Sequence, residues 1–152
     1  PVEGQKGEKT PVNKIVFKNP SCLKTHIRSI ETAYNSSPYY LYYEDDLKSL
    51  LSKEYSTLLE FNLASLSFLN DCLQIENKHI LSDDYVGGDV QDFRQEFKPS
   101  KKEVDNPSYL QVFSSKYPFI PNLSLLDLVF NLGSEALLYL EENASDIKSI
   151  EK

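Results

Sequence analysis

Residues 54–73 read EYSTLLEFNLASLSFLNDCL. Tyr55, Leu58, Leu59, Leu63, Leu66, Phe68 and Leu69 recur at spacings that place them on one broad face of an α-helix. A helix with so wide an apolar face must be covered by other elements, and the flanking sequence offers them. Residues 39–51, YYLYYEDDLKSLL, predict a shorter helix before it, entered through the turn cluster Asn35-Ser36-Ser37-Pro38. Residues 21–34, SCLKTHIRSIETAY, predict a helix with Ser21 as N-cap and Cys22, Ile27, Ile30, Ala33 and Tyr34 at helical spacing. The chain closes with LSLLDLVFNLGSEALLYLEEN, residues 123–143, where Ser124 is placed to cap a helix running through Phe130 and Asn131-Leu132-Gly133 to break it.

Strand signals are sparse. Ile15, Val16 and Phe17 form a short apolar run bounded by Asn13 and Asn19-Pro20, as a buried strand would be. Such a strand needs a partner, and none is evident downstream, so partner strands are expected upstream. His79 to Leu81 predicts a second short strand. Residues 1–13, PVEGQKGEKTPVN, combine Gly, Pro and mixed charges without periodicity and read as loop or linker, which suggests a fold that opens before them. A polar stretch from Ser82 to Ser108 reads as a long loop, a candidate for contacting substrate or for a surface excursion. The fold class is therefore α/β, with α+β as the alternative: a helix-rich single domain over residues 14–143 and a solvated tail at 144–152.

With 152 residues, 40% hydrophobic and 26% charged, the chain can bury a core of its own. A net charge of −7 argues against nucleic acid, whose phosphates call for clustered Lys and Arg. No stretch approaches the roughly 18 apolar residues of a membrane span. Cys22 and Cys72 lie in helical apolar contexts, no CxxC or Cys/His spacing suggests a zinc site, and both read as buried thiols. GQKGEKT lacks the spacing, the GK pair and the preceding strand of a phosphate loop, and Gly87-Gly88 reads as a turn.

The densest chemistry is in LKTHIRSIETAYNSSPYYLYYEDDL, residues 23–47, which gathers Lys24, His26, Arg28 and a run of tyrosines. His26 is a candidate general base or a packing histidine. The tyrosines suit either a stacking surface for a sugar or base, or half-buried packing. Glu44, Asp45 and Asp46 read as a solvated acidic face. Asp127 and Asn131, four apart on the closing helix, can meet to position a ligand or to tie helices together.

Taken in order, CLKTHIRSIETAYNSSPYY, then QVF, then FIPNLSLLDLVFNLGSEALLYL resemble the WbqC-like proteins, a bacterial family associated with O-antigen and other surface-polysaccharide gene clusters. Cys22 stands where that family commonly has Trp, and Ser134 where it has Pro. The resemblance implies a cytoplasmic protein of surface-glycan assembly that transfers an acyl or aminoacyl group to a nucleotide-linked amino sugar. Its alternative is a noncatalytic binding or scaffolding protein of the same pathway. Carried over by position, His26 and Asp127 are the catalytic candidates. Lys24, Arg28, Tyr34, Tyr39, Asn122 and Asn131 are the substrate-binding ones. A nucleotide sugar or other small molecule is the implied partner, while the cofactor, metal dependence and a homo-oligomer stay open.

Overall fold

A computed structural model describes residues 2–3, 10–19, 21–76, 78–82, 87–88 and 106–144. The expectations for the GQKGEKT segment up to Lys9, for most of the 82–108 loop and for the tail after Ala144 lie outside the described residues.

Among the described residues the domain is helix-rich, with one small strand pair. Strand β1 (Val2–Glu3) pairs antiparallel with β2 (Val16–Phe17), Val2 opposite Phe17 and Glu3 opposite Val16. The apolar run at 15–17 is thus a strand with an upstream partner. That partner lies within the stretch expected to be loop, because two residues flanked by Gly and charge carry no readable alternation. A 3-10 turn at Val12–Lys14 leads into β2. Helices α1 (Cys22–Tyr34), α2 (Tyr40–Ser52) and α3 (Leu58–Cys72) follow, then α4 (Leu125–Leu132) and α5 (Glu135–Asn143). No helix among the described residues is long and apolar enough to cross a membrane.

Local chemistry sets the helix boundaries. Thr57 Oγ1 accepts the Glu60 N–H at 3.2 Å, while Glu60 Oε2 accepts the Ser56 N–H at 2.8 Å, a reciprocal cap that starts α3 at Leu58 and not at Glu54. At α1 the expected Ser21 cap makes no side-chain bond. Asn19 takes over instead, its Oδ1 accepting the Ser21 N–H at 3.0 Å and its carbonyl the Cys22 N–H at 3.0 Å. Ser124 likewise occupies the N-cap position of α4 without a side-chain bond. His79 to Leu81 is not a strand: Ile80 is 93% exposed, so nothing covers the face that a strand there would need to bury.

The strand pair is tied to α3. The Leu58 N–H donates to the Ile15 carbonyl at 2.8 Å, and the Phe17 and Phe61 rings meet edge to face at 5.7 Å. Tyr55, whose hydroxyl donates to the Leu50 carbonyl at 2.9 Å, packs on Phe61 and fixes the α2–α3 turn.

The centre of the core is the shortest helix. In α4, five consecutive residues, Asp127 to Asn131, are buried. Phe130 is fully enclosed and carries Tyr34 at 5.2 Å, Tyr40 at 5.3 Å and Tyr43 at 6.4 Å around its ring. Half of the tyrosine run is therefore core. By contrast α3, the element with the widest apolar face, buries only Phe68 and Cys72 outright, and Leu66 is exposed. Cys72 is buried, whereas Cys22 is half-buried.

The α1–α2 turn docks on the end of α4, where the Tyr39 N–H donates to the Phe130 carbonyl at 3.0 Å. Gly133 ends α4 with φ +58°, a left-handed backbone that favours glycine, and lies flat against the Tyr39 ring.

Candidate functional site

Asp127 is a carboxylate in the first turn of α4, where the helix dipole favours negative charge, and it is 3% exposed. A carboxylate so placed must be satisfied internally. The Tyr109 hydroxyl donates to Asp127 Oδ2 at 2.6 Å, and Gln111 Nε2 approaches the same oxygen at 3.5 Å. Gln111 is itself locked: its Nε2 donates to the Ile120 carbonyl at 2.8 Å and its Oε1 accepts the Ile120 N–H at 3.0 Å, stapling the loop between them. Asn131 approaches from the next turn, but its Nδ2 donates to the Asp127 backbone carbonyl at 2.7 Å. The two side chains four apart thus meet through the backbone, and the carboxylate faces Tyr109, Gln111 and Tyr34.

Tyr34 completes the cluster from α1. Burial, and behind it the negative charge of Asp127, pushes its hydroxyl from 10.0 up to about 12. Burial and the bond to Asp127 push Tyr109 up as well. The sign of the pH effect follows directly. Above pH 10 the unfolded chain gives up the Tyr34 proton while the folded protein keeps it, so stability present below pH 10 is lost as pH rises toward 12. Urea unfolding at stepped pH should show a shallower alkaline loss in Tyr34→Phe than in the parent; an unchanged slope would mean that folding does not raise the Tyr34 hydroxyl.

Beside this cluster lies a cleft of about 300 Å³ at the start of α4. Asn106, Asn122 and Ser124 give it amide and hydroxyl groups, Tyr109 and Tyr139 aromatic edges, and Leu128 an apolar floor. Among the described residues, no charged side chain lines it. Asn122 holds φ +57°, a left-handed backbone that Asn tolerates better than most residues and that recurs at functional sites. The Tyr109 and Tyr139 rings pack edge to face at 5.4 Å, and the Tyr139 hydroxyl donates to the Pro107 carbonyl at 2.7 Å. Asp127 therefore stands behind the cleft and holds one wall of it, Tyr109, in place.

The residues expected from sequence divide in two. Asp127, Asn131 and Tyr34 come together, and Asn122 lines the adjoining cleft. Tyr39 packs against Gly133 at the other end of α4. Lys24, His26 and Arg28 are exposed on α1 and line neither this cleft nor the larger one between α2 and α3. Lys24 and Arg28 share one side of that helix, and His26, two residues from each, faces away from both. Tyr109, Gln111, Asn106 and Tyr139 were not singled out from sequence. Gln111 belongs to the QVF segment, and that was the one signal pointing toward them.

No curated protein and no solved structure matches the chain. The model of the WbqC-like protein family matches residues 1–96, which include the CLKTHIRSIETAYNSSPYY motif and stop short of the cleft at the start of α4. With well over half of its length matched, the chain belongs to the WbqC-like protein family.

Proposed function

We propose that this protein binds a neutral sugar unit in the cleft at the start of α4 and serves bacterial surface-polysaccharide assembly as a cytoplasmic binding component. The lining of the cleft carries this reading. Amides and hydroxyls from Asn106, Asn122 and Ser124 match hydroxyl-rich ligands, the edges of Tyr109 and Tyr139 offer apolar contact, and a volume of about 300 Å³ suits a single sugar ring. A diphosphate would require cations at the cleft, and none of the described residues that line it is cationic. The surface-polysaccharide setting comes from the family resemblance.

Transfer of an acyl or aminoacyl group to a nucleotide-linked amino sugar is less well supported by this geometry. A base must reach the proton that it removes, yet among the described residues the titratable groups of the cleft are tyrosines. The Tyr109 hydroxyl donates a hydrogen bond to Asp127 and is held in the neutral form, which makes it a poor base. His26, Lys24 and Arg28 lie on α1 away from the cleft, with the base on the opposite side of the helix from the clamp.

Thermal unfolding with a panel of free sugars, nucleotide sugars and bare nucleotide separates these readings. A free sugar at ten times its Kd should add about 1.4 kcal/mol, or roughly 3–6 °C in Tm for a chain of this size. Bare nucleotide should give no shift. Stabilisation by nucleotide sugar and nucleotide, with none by free sugar, would favour the transfer reading.

A further inference from the structure

A second and larger cleft, of about 480 Å³, opens between α2 and α3, and neither the family resemblance nor the sugar site uses it. Its walls are of a different chemistry. Asp46 from α2 and Asp71 from α3 both line it, together with three tyrosines, Tyr42, Tyr43 and Tyr55. Both carboxylates are exposed, and neither is in an ion pair with any of the described residues. Burial, and behind it the charges of Asp46 and Asp71, raise the Cys72 thiol, which also lines the cleft, to about 11. Tyr42 is 78% exposed and packs edge to face on buried Tyr43 at 4.8 Å, which leaves its ring open to a ligand.

The protein already places a cation here. Lys53 Nζ lies 5.8 Å from the centroid of the Tyr55 ring, at the mouth of the cleft. Among the described residues of the lining, Lys53 offsets one of the two negative charges and leaves a net charge of one negative. A metal ion fits less well, because no group of three His, Cys, Asp or Glu side chains among the described residues is poised on a common point.

From these walls we infer that the α2–α3 cleft binds a small organic ammonium ion, its charge held between Asp46 and Asp71 and its body against Tyr42 and Tyr55. Recognition of this kind combines a carboxylate pair with aromatic faces and selects a monocation over its neutral isostere. Lys53 acts as the internal competitor that the ligand displaces from Tyr55.

The test is an amide NMR titration of the full chain with cyclohexylamine, its neutral counterpart cyclohexanol, and magnesium chloride. Cyclohexylamine should move the Tyr42, Asp46 and Asp71 signals saturably, with cyclohexanol at least tenfold weaker. In Asp46→Asn/Asp71→Asn the affinity should fall at least tenfold. In Lys53→Ala it should rise severalfold, a gain that damage to the fold would not produce. Both carboxylates are exposed, so the variant spectra should match the parent away from the cleft. Equal binding of the alcohol, full affinity in the double variant, or displacement of the amine by submillimolar magnesium would overturn the assignment. The sugar reading is untouched by any of these results, since its cleft shares no residue with this one.

Discussion

Gly133→Ala is expected to destabilise the protein by about 4 kcal/mol, the sum of two costs of roughly 1–3 kcal/mol each. The first is conformational. Gly133 holds φ +58° with ψ −125°, outside the compact left-handed region that even Asn accepts, so a Cβ strains the backbone wherever it points. The second is steric. A Cβ on Gly133 would lie 2.6–2.8 Å from three ring carbons of Tyr39. The ring cannot simply swing away without disturbing the α1–α2 turn, because the Tyr39 N–H is bonded to the Phe130 carbonyl. Relative to a total stability of roughly 5–15 kcal/mol, such a loss would unfold a large share of a marginal domain. Equilibrium urea unfolding measures it, and adding Tyr39→Ala should return the steric part while leaving the conformational part in place. A loss below about 1 kcal/mol would mean that the two segments do not pack as described.

Asp127→Ala is expected to cost about 3 kcal/mol, drawn mainly from groups left behind. The carboxylate accepts a 2.6 Å bond from Tyr109, and its removal strands that hydroxyl in a half-buried site and opens a void beneath it. Asp127→Asn keeps an acceptor at nearly the same place and should cost about 1 kcal/mol, within the range of a single neutral hydrogen bond. Removing the negative charge should also let Tyr34 titrate lower than its present value near 12. A ligand effect should accompany the structural one: with Tyr109 released, the wall of the cleft loses its fixed position and sugar binding weakens. An Asp127→Ala variant as stable as the parent, and with an unmoved Tyr34 titration, would remove Asp127 from the centre of the site.

The sequence reveals the helices more readily than the site, for physical reasons. Helices α1 and α2 announce themselves through periodic apolar residues and the Asn35–Pro38 turn, and they begin and end within one or two residues of expectation. Helix α3 starts later than its apolar face suggests because Thr57 and Glu60 close a reciprocal cap, a T-x-x-E spacing that is visible in the sequence. The apolar face of α3 overstated its burial, and α4, too short to show a convincing period, became the core. Strand β1 was illegible because two residues cannot display alternation.

Asp127, Asn131, Tyr34 and Asn122 could be named from motif positions, but what joins them could not. Tyr109 and Gln111 reach Asp127 across 18 and 16 residues of chain from a segment without secondary structure. Nothing in local pattern encodes such a contact. The basic residues of α1 misled in the opposite direction. Lys24, His26 and Arg28 look concentrated in sequence, yet an α-helix turns His26 away from the other two.

Amide NMR mapping of a neutral sugar on the full chain bears most directly on where this protein binds its ligand. The expected result is a saturable set of shifts confined to Asn106, Tyr109, Asn122, Ser124 and Tyr139, abolished by Asn122→Ala, with the Lys24–Arg28 segment unmoved. Shifts centred instead on Lys24, His26 and Arg28, with the start of α4 silent, would contradict the cleft as the binding site.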